Sequence, residues 1–134
     1  MSLAFAQRER EGIVLLDGNG RITAGDDTAR FRAEMEGLAA AGKVNVILNL
    51  AEVDFIDSTG LGAMVLASSE MKKLSGKIKL LNLNKRNVEL LVVTKLTTIF
   101  DIFDDEQDAV NSFFPDRQVR TFDLLSFVRE MKQE

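Results

Sequence analysis

Apolar and polar positions change period along this chain so that strands alternate with helices. Ile13-Val14-Leu15-Leu16 is an apolar run, Asp17-Gly18-Asn19-Gly20 carries two turn signals, and Arg21-Ile22-Thr23-Ala24 resumes an extended pattern. Residues 11–24 therefore read as a β-hairpin. Gly25-Asp26-Asp27 offers caps for a helix to about Ala41, with Phe31, Met35, Leu38 and Ala39 at helical spacing and Gly42 as its stop. Over residues 44–50, Val44, Val46, Leu48 and Leu50 alternate with Asn45, Ile47 and Asn49, the period of a strand with one well-buried face.

A second helix is predicted over residues 60–75. Leu61, Met64, Val65, Ser68, Met71 and Leu74 form its inward stripe, and Gly76 ends it. Residues 78–83 read as another strand, and Asn84 caps a third helix carrying Val88, Leu91 and Val92. Residues 99–103 make a short strand, and Asp104 or Asp105 caps a helix through Phe113. Strands alternating in this way with helices predict an α/β domain whose mixed sheet is mostly parallel, with right-handed crossovers and an antiparallel edge hairpin.

The single proline, Pro115, follows Phe113-Phe114 and marks the one plausible boundary, between a domain at 1–113 and a C-terminal extension at 114–134. Phe122, Leu125, Ser126 and Met131, with Leu124, Phe127 and Val128, place a broad apolar band on a helix there. Two readings stand for it: a helix docked on its own domain, or one that meets a partner or a second copy.

Composition removes whole classes of function. The 134 residues contain no Cys and no His, which excludes thiol nucleophiles, imidazole bases, His–Cys zinc sites and disulfides. Trp and Tyr are absent and the net charge is −4, both unfavourable for direct nucleic-acid binding. No run of about 18 apolar residues spans a membrane, and no basic segment followed by an apolar core opens the chain as a secretion signal does. A cytoplasmic protein that is not an enzyme is the expectation.

Chemistry concentrates in Val53-Asp54-Phe55-Ile56-Asp57-Ser58-Thr59-Gly60-Leu61-Gly62, where a buried strand leads through a short loop into a helix. Asp57, Ser58 and Thr59 are all good N-cap types. Gly60 and Gly62 each cost the helix about 1 kcal/mol relative to Ala, so a steric reason is expected: close approach of another backbone, or tight packing on the sheet. Three readings fit these residues. They are a capped helix start, a phosphate-binding loop, and a regulated hydroxyl at an exposed helix entrance. Gly60-Leu61-Gly62 lacks the third glycine and the Gly-Lys-Ser/Thr ending of phosphate loops, and Asp54 and Asp57 repel an anion. The Asp54–Asp57 pair has no accompanying base or electrophile that would suggest catalysis.

Residues 11–113 resemble a STAS domain of the anti-sigma factor antagonist type. That family's signature, a strand ending in Leu-x-Leu and then x-x-Val-x-Phe-Ile-Asp-Ser-Ser-Gly-Leu-Gly, is met by Leu48-Asn49-Leu50 and the stretch from Val53 to Gly62. Gly76 before the strand at 78–83, and Leu96, Ile99, Phe100, Ile102 and Phe103 before an acidic helix start, fit as well. The resemblance implies that Ser58 is phosphorylated by an anti-sigma factor that is itself a serine kinase. It also implies that the unmodified form binds this kinase, and that a serine phosphatase resets the switch. Asp54, Asp57, Ser58, Thr59, Gly60 and Gly62 are then the partner-binding residues. No cofactor belongs to the chain itself, since the ATP is the kinase's. Thr59 stands where Ser is common and is the alternative acceptor. With no sensor or membrane region in this sequence, a free-standing antagonist is expected in preference to the transporter-linked relatives; a STAS subunit of a membrane lipid-transport complex and a nucleotide-binding regulatory module are the alternative readings.

Overall fold

A computed structural model describes residues 2–133; Met1 and Glu134, the outer ends of the expected domain and tail, lie outside the described residues. The element order is β1 (Ala4–Arg10), β2 (Ile13–Ile22), α1 (Asp26–Ala40), β3 (Asn45–Ile56), α2 (Ser58–Lys73), β4 (Lys77–Leu81), α3 (Lys85–Val93), β5 (Ile102–Phe103), α4 (Glu106–Asn111) and α5 (Leu124–Gln133). The five strands form one sheet in sequence order, β1 antiparallel to β2 and the others parallel.

The hairpin expected at residues 11–24 lies one strand earlier. Residues 13–22 form a single strand, and the turn falls at Glu11 and Gly12, both with positive φ (54° and 82°), before a β1 that the periodicity did not reveal. Gly18 and Gly20 do not turn the chain. They sit where β2 shifts register against β3, and Gly20, at φ 121°, lies so close to the N-terminal segment that a Cβ would stand 3.0 Å from the Ser2 carbonyl oxygen. β3 also runs further than expected, to Ile56, so no loop separates Leu50 from Asp57.

Alternation along the central strands sends neighbouring side chains to opposite faces. Val14, Leu16, Val46, Leu48, Ile78 and Leu80 join a front core closed by Phe31, Met35 and Leu38 of α1, Leu61, Met64 and Met71 of α2, and Leu91 of α3. Right-handed crossovers between sequential parallel strands place these three helices on the same side. On α2 the buried positions include Ala63 and Ala67, whereas Leu74 is 51% exposed at the C-cap and not part of the inward stripe. Ile13, Leu15, Ile47, Leu81 and Phe103 face the back, under Ala109 and Val110 of α4 and against Phe113, Phe114 and Val119. Lys79 shares that face. Its Nζ donates to the Ser112 carbonyl (3.1 Å) and hydroxyl (2.8 Å) at the C-terminus of α4 and lies 4.4 Å from the Phe113 ring. Burial pushes the Lys79 amine below its ordinary pKa, a shift opposed by Asp101 at 3.6 Å.

The tail packs on the same sheet. Phe122 N–H donates to the Ile102 carbonyl at 3.0 Å and its ring joins the front core, while Leu125 on α5 stays 63% exposed.

Candidate functional site

The stretch from Asp54 to Gly62 lies at the C-terminal ends of the parallel strands, where β3 passes directly into α2. Asp57 takes the extended conformation typical of an N-cap (φ −91°, ψ 178°), and its Oδ1 accepts the Gly60 N–H at 2.7 Å. The Asp57 carbonyl accepts Leu61 N–H at 2.9 Å and begins the helical ladder. Ser58 and Thr59 are therefore the first two helical residues, and both are exposed. This settles which of the three capping candidates is the cap.

The two glycines have different reasons. A Cβ on Gly60 would stand 1.9 Å from the Ile22 carbonyl oxygen, so the helix entrance rests directly on the end of β2. Gly60 is buried by that contact, which withdraws it from the surface a partner reaches. A Cβ on Gly62 would meet nothing within 4 Å, and this residue is exposed. Ser58, Gly62 and the 63%-exposed Leu66 follow one another at four-residue spacing, so they share one face of α2.

Asp57 also reaches sideways. Its Oδ2 accepts the Ala24 N–H at 3.0 Å, and its own N–H donates to the Ile22 carbonyl at 3.2 Å. Both oxygens are thus engaged within the chain. The receiving turn is braced in its own right: the Thr23 hydroxyl donates to Asp27 Oδ2 at 2.8 Å, and Leu3 N–H reaches Asp27 Oδ1 at 3.3 Å. These donors, Thr23 foremost, hold the Asp27 carboxyl below the usual carboxylate range.

On the other flank, Asp54 is exposed, and its carbonyl accepts from Asn84 Nδ2 at 3.0 Å. The buried Asn87 donates to the Val53 carbonyl at 3.1 Å, and Asn84 caps α3 by accepting Asn87 N–H at 2.8 Å. The Arg86 guanidinium lies 5.6 Å from the centre of the Phe55 ring. The six predicted residues are thus brought together, five of them at or near the surface and Gly60 beneath it. Sequence reasoning missed Ala24, which contributes only a backbone N–H, and the reach of Asn84 and Asn87 to β3. The capping role of Asn84 was legible; its second contact depends on the sheet. Among the described residues, no group of three or more carboxylates is placed to hold a metal ion, and no helix is long and apolar enough to cross a membrane.

The model of the STAS domain family matches residues 4–109. The chain is 38% identical over 72 residues to the anti-sigma-B factor antagonist of Bacillus subtilis (strain 168), covering 54% of this chain and 65% of that relative's length. A solved anti-sigma factor antagonist from Mycobacterium paratuberculosis superposes with a TM-score of 0.73 at 16% identity, over 83% of this chain and 93% of that one. The Bacillus cell fate determinant SpoIIAA, in its phosphorylated form, superposes with a TM-score of 0.63 at 20% identity, over 82% and 99%. At these identities the structural likenesses establish the fold. The family match runs from the first residue of β1 into α4, across the whole sheet and the entrance of α2: the chain belongs to the STAS domain family.

Proposed function

We propose that this chain is an anti-sigma factor antagonist that binds an anti-sigma factor kinase while Ser58 carries its free hydroxyl and releases it once Ser58 is phosphorylated. The observation that carries this reading is the placement of Ser58. It is exposed at the first position of α2, beside the open face at Gly62, on a helix entrance that Asp57 and Gly60 fix to the sheet. The name of the Bacillus subtilis relative points the same way. Asp54, Thr59 and Gly62 complete the contact surface, and the chain supplies no catalysis of its own. The kinase brings ATP, a serine phosphatase removes the phosphate, and the setting is the cytoplasm. Residues 114–134 act as an extension of the domain at 1–113.

The energetics favour a switch in binding over a switch in fold. A phosphate on Ser58 adds about −1.5 to −2 charges at pH 7. At the N-terminus of its own helix that charge gains about 0.3–1 kcal/mol, so the domain stays folded. At a partner contact the dianion has to be desolvated, and disturbing a buried charged or hydrogen-bonded contact costs about 2–5 kcal/mol. Affinity then falls roughly 30- to several-thousand-fold. The intermolecular loss outweighs the local gain.

The test is co-expression with serine kinases of the anti-sigma type, followed by intact-mass and peptide mapping. A single phosphate on Ser58, lost in Ser58→Ala, is the expected result. A phosphate on Thr59 would move the acceptor by one residue. No phosphate with any kinase would overturn the reading and leave a STAS subunit of a membrane-associated complex to be considered.

A further inference from the structure

Asp57 does more than a helix cap requires. A cap needs one oxygen on a first-turn N–H, and Oδ1 supplies it to Gly60. The second oxygen holds the Ala24 N–H, and the Asp57 N–H holds Ile22, so the residue before Ser58 is pinned to the neighbouring strand and turn at two further points. Because Thr23 and Asp27 brace that turn, Ala24 is a fixed anchor although it lies at the surface.

We propose that Asp57 is a positioning residue for Ser58: it clamps the entrance of α2 to the β2–α1 turn and holds the Ser58 hydroxyl where a phosphoryl donor meets it. The inference rests on Ser58 being the phosphate acceptor. In the transfer, the Ser58 Oγ–phosphorus bond forms as the terminal phosphorus–oxygen bond of ATP breaks. ADP leaves, and the hydroxyl proton passes to a base of the kinase. Both oxygens of Asp57 are engaged in holding the Gly60 and Ala24 N–H groups, so the role assigned to it is positioning and not proton transfer. Its contribution is geometric, and a misplacement of about 1 Å in such a step costs about 100-fold.

Asp57→Asn separates the clamp from the cap. Asn is an equally good N-cap, but it has a single acceptor oxygen and presents an NH2 group to the second donor. Ala24→Pro removes the same bond from the other side by deleting the N–H. The assay uses the serine kinase that modifies the unaltered chain, with ATP, alongside the thermal midpoint and hydrogen exchange at the Ala24 amide. In Asp57→Asn the Ala24 amide should exchange faster and the midpoint should stay close to that of the unaltered chain. The turnover number for Ser58 should fall about tenfold or more with an unchanged Michaelis constant. Ala24→Pro should lower the rate similarly, and the double variant no further. A full phosphorylation rate in Asp57→Asn, or a raised Michaelis constant with unchanged turnover, would overturn the proposal. So would an Ala24 amide whose protection is unaltered. If the unaltered chain takes no phosphate on Ser58, the functional reading fails and this inference with it; a slow variant beside a normal unaltered chain supports both.

Discussion

On the front of the sheet, Phe31, Leu38, Leu61, Met64 and Met71 close a continuous apolar core under three helices, and backbones meet directly where Gly60 rests on Ile22. The back carries a smaller cluster under a six-residue helix and the segment at 113–119. Its rim is held by side-chain charges. Arg8 bridges Asp17 (2.7 Å) and Glu106 (2.7 Å), Arg10 also reaches Glu106, and Arg117 pairs with Glu11 (2.7 Å). The proposed switch surface therefore stands on the face fixed by packing, where the entrance of α2 rests on the end of β2. The side dependent on partly exposed ion pairs lies away from it. A switch read by its shape and charge gains from this division, because a modification at Ser58 changes charge without loosening the support beneath.

Substitutions can break this comparison face by face. The largest effect is expected from Gly60→Ala, whose added carbon meets the Ile22 carbonyl at 1.9 Å. Backbone cannot yield as a flexible side chain does, so urea denaturation should show a loss of about 3 kcal/mol, at the upper end of ordinary overpacking. A loss below about 1 kcal/mol would mean that the helix entrance moves freely on β2. On the back, Lys79→Ala removes a charged donor to the C-terminus of α4 and should cost about 2 kcal/mol. Hydrogen exchange should then quicken in α4 before it does in β3.

Gly62→Ala sharpens the contrast within the site. With open space around it, the new methyl meets nothing in the chain, and helix propensity should add about 1 kcal/mol of stability. Partner affinity should fall, since the methyl stands on the open face beside Ser58. The smallest effect concerns acid. Arg8 holds the carboxyls of Asp17 and Glu106 below their ordinary range, with Asn49 assisting at Asp17 and Arg10 at Glu106. Their folded-state pKa values are depressed, so the stability they contribute is complete above the ordinary carboxylate value of about 4 and is lost as pH falls through the folded values. These side chains are about 30% exposed, so the loss is about 1 kcal/mol or less. It should appear as faster exchange in α4 below about pH 4.

The α/β class, the order of the helices and the cap at Asn84 were legible, and Asp105 was one of the two caps offered for α4, because periodicity and capping are local properties of the chain. The hairpin was misplaced for a physical reason. Asp-Gly and Asn-Gly are the strongest short-range turn signals, yet here their glycines serve a register shift and a close approach to the N-terminal segment. The actual turn uses Glu11-Gly12, and β1 has only Phe5 as a substantial apolar side chain, so neither rises above a surface segment. At the site, the residue types in the segment were readable in full. The division of labour between Gly60 and Gly62, and the sideways reach of Asp57, depend on where β2 ends and so belong to the tertiary structure.

Control of binding by Ser58 is read out by titrating the kinase that modifies this chain with two forms of it, one unmodified and one carrying phosphoserine at position 58, while recording both thermal midpoints. The two midpoints should match, and the affinity of the phosphorylated form should be at least about 30-fold weaker. Equal affinities for the two forms would contradict control of binding by Ser58.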